Sequence, residues 1–127
     1  MSATRKSNSI ALAENMVLTK AALRAAERLQ IPASQLAPII GQSEASLSRM
    51  KAGKLALEPG SKPFEIALLF VRLFRALDAV TGGDEKVSAA WLRNTNLAFG
   101  EPPLSKIRAL SGLFDVIAYL DARRALV

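Results

Sequence analysis

In the stretch LAPIIGQSEASLSRMKAG, residues 36–53, side chains able to touch a polyanion gather on one short polar face. They are Ser43, Glu44, Ala45, Ser46, Ser48 and Arg49, with Lys51 and Lys54 at or just beyond its end. Arg49 carries the guanidinium fork that reads a guanine edge, and Lys51 and Lys54 can neutralise phosphates. Glu44 is unfavourable beside phosphate but can accept a hydrogen bond from a cytosine amino group. Ser43 and Ser46 can bond phosphate oxygens, although Ser43 can equally serve only as a helix cap. All of this is recognition chemistry. Bond-making is poorly provided for, because the chain has no cysteine and no histidine, which removes thiol chemistry, disulfides, most zinc sites and the usual general base. Glu101, Asp115 and Asp121 are scattered carboxylates without a base or ligand partner, and Gly82-Gly83-Asp84 is too short and isolated for a phosphate loop. No catalytic residue, cofactor or metal site is expected, and the protein is not read as an enzyme.

To present that polar face, the chain has to fold there as two helices joined by a tight turn. Leu36, Ala37 and Ile40 give the first helix an apolar side, Gly41 supplies the turn, and Ser43 opens the second helix, whose Leu47 and Met50 point inward. The pattern predicts a helix-turn-helix with its second helix in the DNA major groove. A helical hairpin with a merely solvated polar face would have the same pattern. Charge favours the first reading: 17 Lys and Arg against 11 Asp and Glu give a net +6, which suits a polyanionic partner. The surplus is uneven, with eight basic and four acidic side chains over residues 1–61 (+4) and nine and seven over residues 62–127 (+2). One such module makes few base contacts, so useful affinity predicts a homodimer reading two half-sites about 34 Å apart.

The rest of the chain reads as helix, and the fold class is all-α. Residues 1–15 are expected to be a flexible N-terminal tail, residues 16–60 the helix-turn-helix unit, and residues 61–127 a second helical unit, divided at the Pro59-Gly60 turn signal. Residues 19–29 form an alanine-rich helix that Ile31 and Pro32 break. Ser61 caps the longest helix, predicted over residues 62–80, which spans nearly 30 Å at about 1.5 Å per residue. Its apolar side chains surround most of the circumference, so several sides must be covered. Phe70, Leu73, Phe74 and Leu77 are read as a dimerisation surface, although the same helix could be covered wholly within one chain. Gly82-Gly83 ends it, Asp84 caps a short helix carrying Trp91 and Leu92, and residues 94–103 form a loop. Two last helices are predicted near residues 104–110 and 112–125; Trp91 reads as core and Tyr119 sits beside the apolar stripe of the last helix, so neither needs a functional reading. No apolar run approaches the roughly 20 residues of a membrane span, and no secretory signal is recognised, so a soluble cytoplasmic protein without a membrane partner is expected.

The second unit carries further detail. Ser61-Lys62, Gly83-Asp84, Trp91-Leu92 with Asn96 and Phe99-Gly100, Pro103-Leu104, and Tyr119-Leu120-Asp121-Ala122 stand in an order that resembles the Xre/MbcA/ParS antitoxins of bacterial type II toxin-antitoxin modules, over roughly residues 57–124. The front half is similar to the Xre-type helix-turn-helix that such antitoxins carry. The resemblance implies that residues 61–127 bind a cognate RES-domain toxin, an ADP-ribosyltransferase-type protein that consumes NAD, occlude its active site, and with it repress the operon through operator DNA. The exposed, non-periodic stretches of that half place toxin contacts at Asn94 and Asn96 in the loop and at Arg123, Arg124, Leu126 and Val127 in the tail. Two arginines at a helix end are also what the helix dipole alone favours. The alternative to an antitoxin is a stand-alone helix-turn-helix repressor whose C-terminal half serves only for dimerisation.

Overall fold

The computed structural model describes the backbone of residues 2–125 and the side chains of residues 14–125. Among the described residues seven helices follow in order: α1 Ser2–Arg28, α2 Ala33–Ile40, α3 Glu44–Lys51, α4 Lys62–Thr81, α5 Glu85–Arg93, α6 Pro103–Lys106 and α7 Leu110–Ala125. Among the described residues there is no strand, only an isolated antiparallel bridge between Asn96 and Glu101. Local chemistry sets most of the helix ends. Ser43 accepts from the Ser46 N–H at 3.0 Å, Ser61 from the Phe64 N–H at 3.3 Å, and Asp84 from Lys86 and Val87 at 3.0 and 3.1 Å, so three helix starts have their exposed donors met. At the other end of α4, Gly82 adopts φ +67° and returns its N–H to the Asp78 carbonyl, a left-handed stop that side chains resist.

The core lies around α4, which packs on α7, α1, α2 and α5. Phe70, Leu73 and Leu77 are fully buried there beside Leu29, Leu92, Leu113 and Leu120, and burying each large apolar side chain contributes about 1.5–3 kcal/mol. This corrects the expectation that Phe70, Leu73 and Leu77 form a dimer surface: helices of the same chain already cover them. Of the four residues assigned to dimerisation, Phe74 alone keeps partial exposure, with the Arg28 guanidinium 6.0 Å from its ring centroid.

Two further expectations change. The segment expected as a tail is helical, because α1 begins at Ser2 and runs on through Arg28. Its buried Thr19 donates to the Asn15 carbonyl at 2.6 Å and accepts from the Leu57 N–H at 3.0 Å, which pins the chain leaving α3 against α1. At the other end of the chain, α6 stops at Lys106 and α7 starts at Leu110. The two helices meet closely there, since a Cβ on Gly112 would lie 1.9 Å from the Lys106 carbonyl oxygen. Only glycine lets α7 sit this tightly on the end of α6.

Candidate functional site

The helix-turn-helix forms as α2, the Gly41 turn and α3. Gly41 has φ +81°, and its N–H and that of Gln42 both return to the Ala37 carbonyl, which closes α2 and swings the chain toward α3. Leu47 and Met50 are buried, so the opposite side of α3 faces out, with Glu44, Ala45, Ser48, Arg49 and Lys51 all exposed. Lys54 is exposed just beyond, where its N–H closes back on the Arg49 carbonyl at 2.9 Å around a left-handed Gly53. Neither Arg49 nor Lys51 nor Lys54 pairs with an acidic side chain among the described residues. Their charge is free to meet an anion. Ser43 and Ser46 are less free: beyond the capping bond, the Ser43 hydroxyl donates to the Ser46 hydroxyl at 3.0 Å, so both oxygens already serve the start of the helix.

The loop between α5 and α6 is a built turn. The Asn96 carbonyl accepts from Phe99 and Gly100 at 3.1 and 2.8 Å, its side-chain oxygen accepts from the Ala98 N–H at 2.8 Å, and its own N–H reaches Glu101 at 3.2 Å. Asn96 is therefore spent on shaping the loop, whereas Asn94 is exposed. Below the turn, Phe99 meets Tyr119 edge-on at 5.1 Å, and Tyr119 stacks on Trp91 at 6.1 Å. This aromatic floor joins the loop to α5 and α7, with Lys106 5.5 Å over the Phe99 ring. The sequence offered Trp91 as core and Tyr119 beside the apolar stripe of the last helix, and the further signal was that each is the single residue of its type in the chain.

Sequence reasoning also missed Arg93, the last residue of α5. Its guanidinium donates to the Leu29 carbonyl at 3.1 Å, to Ala89 at 2.8 Å and to Gln30. It thereby holds the two carbonyls of the turn just after α1 from the foot of the loop, and Arg28 and Glu85 pair alongside at 3.6 Å. The corner leading into α2 is thus held by the same residue that precedes Asn94. No local pattern could reveal this, since the partners are more than sixty positions away.

At the tail, Arg123 and Arg124 remain exposed but fold back on their own helix. Arg123 donates to the Tyr119 hydroxyl at 3.3 Å, and Arg124 lies 3.6 Å from Asp121, which also accepts from Arg72 at 3.0 Å. Leu126 and Val127 lie outside the described residues. Two of the apolar depressions open on the surface of the described residues flank α4. One, between α1 and α4, is lined by Val17, Leu18, Ala21, Leu68 and Val71 and flanked by Glu14, Arg72 and Arg75; Val17 is 67% exposed. The other, between α4 and α7, holds Ile66, Leu69, Leu110 and Phe114. No helix among the described residues is long and apolar enough to cross a membrane.

Comparison with known families places both halves. Residues 9–72 match the antitoxin Xre-like helix-turn-helix domain, and residues 76–125 match the antitoxin Xre/MbcA/ParS C-terminal toxin-binding domain. None of the curated proteins matches the chain. The two matches meet inside α4, so the central helix belongs to both and joins them through one continuous core. A helix-turn-helix with unpaired cations on its second helix, followed on the same core by a matched toxin-binding unit, identifies the chain as a member of the Xre/MbcA/ParS family of antitoxins.

Proposed function

We propose that this antitoxin neutralises a RES-domain, NAD-consuming toxin of the ADP-ribosyltransferase type by occluding its active site, and that it represses its own operon through α3. The observation that carries the reading is the order of the two matched domains on one core, with Arg49, Lys51 and Lys54 unpaired at the end of α3. Arg49 reads a base edge or grips phosphate, and the two lysines supply sequence-independent attraction. Toxin contacts fall at the loop end of α5 and the end of α7, through Asn94 and through the tail bearing Arg123, Arg124, Leu126 and Val127. The pair acts in the bacterial cytoplasm, where operator DNA and NAD are both found.

A second copy of the chain completes the DNA reader. One α3 offers few base contacts, and two half-sites about 34 Å apart call for a two-fold dimer. The α1–α4 depression suits that role better than the buried face of α4. Its apolar floor is flanked by Glu14 on one helix and by Arg72 and Arg75 on the other, so a two-fold apposition can set carboxylate against guanidinium on both sides.

Co-expression with the neighbouring gene tests the reading. Induction of that gene alone should arrest growth and lower cellular NAD, and co-induction of this chain should restore both. A neighbour that is harmless alone, or still toxic beside this chain, would refute the antitoxin role. Growth arrest with undiminished NAD would refute the RES assignment.

A further inference from the structure

Leu97 stands at the tip of the turn between α5 and α6 and is 99% exposed. Other apolar residues exposed in the same matched domain keep about half of their surface covered: Val87 is 50%, Leu110 46% and Phe114 53% exposed. Single apolar residues on a surface are common, but Leu97 differs in two respects. The first is position. Asn96 opens the turn with the hydrogen bonds to residues 98, 99 and 100 described above, and the residue that follows it is usually chosen for φ or for solvation, as proline or a polar side chain. Leucine answers neither need, and no fold contact explains it. The second is rigidity. Phe99, two residues on, is seated on Tyr119 and Trp91, Gly100 closes the turn at φ +72°, and Asn96 and Glu101 pair across its base. Leu97 is thus an apolar knob on a fixed mount, so the backbone part of its ordering cost on binding is already met by the fold.

We propose that Leu97 is the apolar anchor of the toxin interface, entering a side-chain-sized apolar pocket on the toxin while the Asn96 turn holds it in place. The proposal rests on the antitoxin reading and adds to it the residue that carries the affinity. Its partner follows from location, because Leu97 lies in the middle of residues 76–125, the unit matched as toxin-binding. Anchors of this kind are few and sit in desolvated pockets, and neighbouring polar contacts contribute little. Asn94 and the tail arginines then form the rim.

The test uses full-length protein and the purified product of the adjacent gene, with affinity measured by calorimetry or interferometry. Leu97→Ala should weaken binding about tenfold or more and Leu97→Asp about a hundredfold, the range expected for truncating an anchor and for burying an unpaired charge. Leu97→Met, which keeps apolar volume, should stay within about threefold of wild type. Melting temperature and operator binding should not change in any of the three, because Leu97 touches nothing in the fold. Wild-type affinity in Leu97→Asp would overturn the anchor and leave the antitoxin reading standing. A change of oligomeric state in Leu97→Asp with unchanged toxin affinity would also overturn it, since the occupant would be a second copy. If the wild-type protein itself fails to bind the neighbouring product, the antitoxin reading falls and takes the anchor with it.

Discussion

Replacing a glycine inside a helix by alanine normally stabilises a protein, by about 1 kcal/mol. At Gly112, in the first turn of α7, the sign should reverse. An added Cβ would sit 1.9 Å from the Lys106 carbonyl oxygen, 2.7 Å from its carbon and 2.9 Å from the Lys106 Cγ. The side chain can swing away, but the carbonyl belongs to the backbone at the end of α6 and would have to retreat by at least about 1.1 Å to reach the 3.0 Å limit that real Cβ contacts respect. That carbonyl also accepts from the Ala109 N–H at 3.3 Å in the turn joining α6 to α7. Overpacking of this kind costs about 1–3 kcal/mol, and loosening the turn's hydrogen bond adds about 1 kcal/mol. Subtracting the helix-propensity gain leaves Gly112→Ala destabilised by about 1–3 kcal/mol, or a fall in Tm of about 3–12 °C for a chain of this size. Urea denaturation and a thermal melt would both read it. The reverse swap at exposed Ala118 in the same helix, Ala118→Gly, should cost about 1 kcal/mol, so opposite substitutions should move stability in the same direction. A Gly112→Ala protein as stable as wild type or more so would refute the close approach of α6 and α7.

Two other substitutions probe the two ends of the helix-turn-helix unit. Thr19→Val keeps the shape of the side chain but leaves the buried Leu57 N–H without its acceptor, and should cost about 1–3 kcal/mol by chemical denaturation, whereas Thr19→Ser should recover most of that loss. Arg49→Ala should weaken binding to DNA from upstream of the operon by about tenfold and, if its contact is to phosphate, lower the salt slope by about one. Toxin neutralisation and Tm should stay unchanged, and an equal loss of neutralisation would mean that Arg49 is structural.

Much of the helical layout was legible because its causes are local. Ser43, Ser61 and Asp84 cap the helices that follow them, and Gly41 and Gly82 stop those that precede them, by hydrogen bonds reaching no more than a few positions along the chain. The inward Leu47 and Met50, and with them the outward face of α3, followed from spacing in the same way. The start of α1 was not legible: residues 1–9 are small and polar, with no cap and little periodicity, yet the helix begins at Ser2. The roles of Arg93 and Gly112 were also hidden, the first because it holds turn carbonyls more than sixty residues away, the second because its meaning lies in a carbonyl of another helix.

The sequence by itself determined that this chain is all-α, where the second helix of the helix-turn-helix lies, and that α4 must be covered on several sides. Periodicity states that an apolar surface has to be buried, but it does not state by what. Only the tertiary structure decided that helices of the same chain cover Phe70, Leu73 and Leu77, that the Asn96 side chain is bonded within its own turn, and that the loop raises Leu97 into solvent. Each of these depends on which distant segments meet, and that choice belongs to the packing of the whole core rather than to any stretch within it.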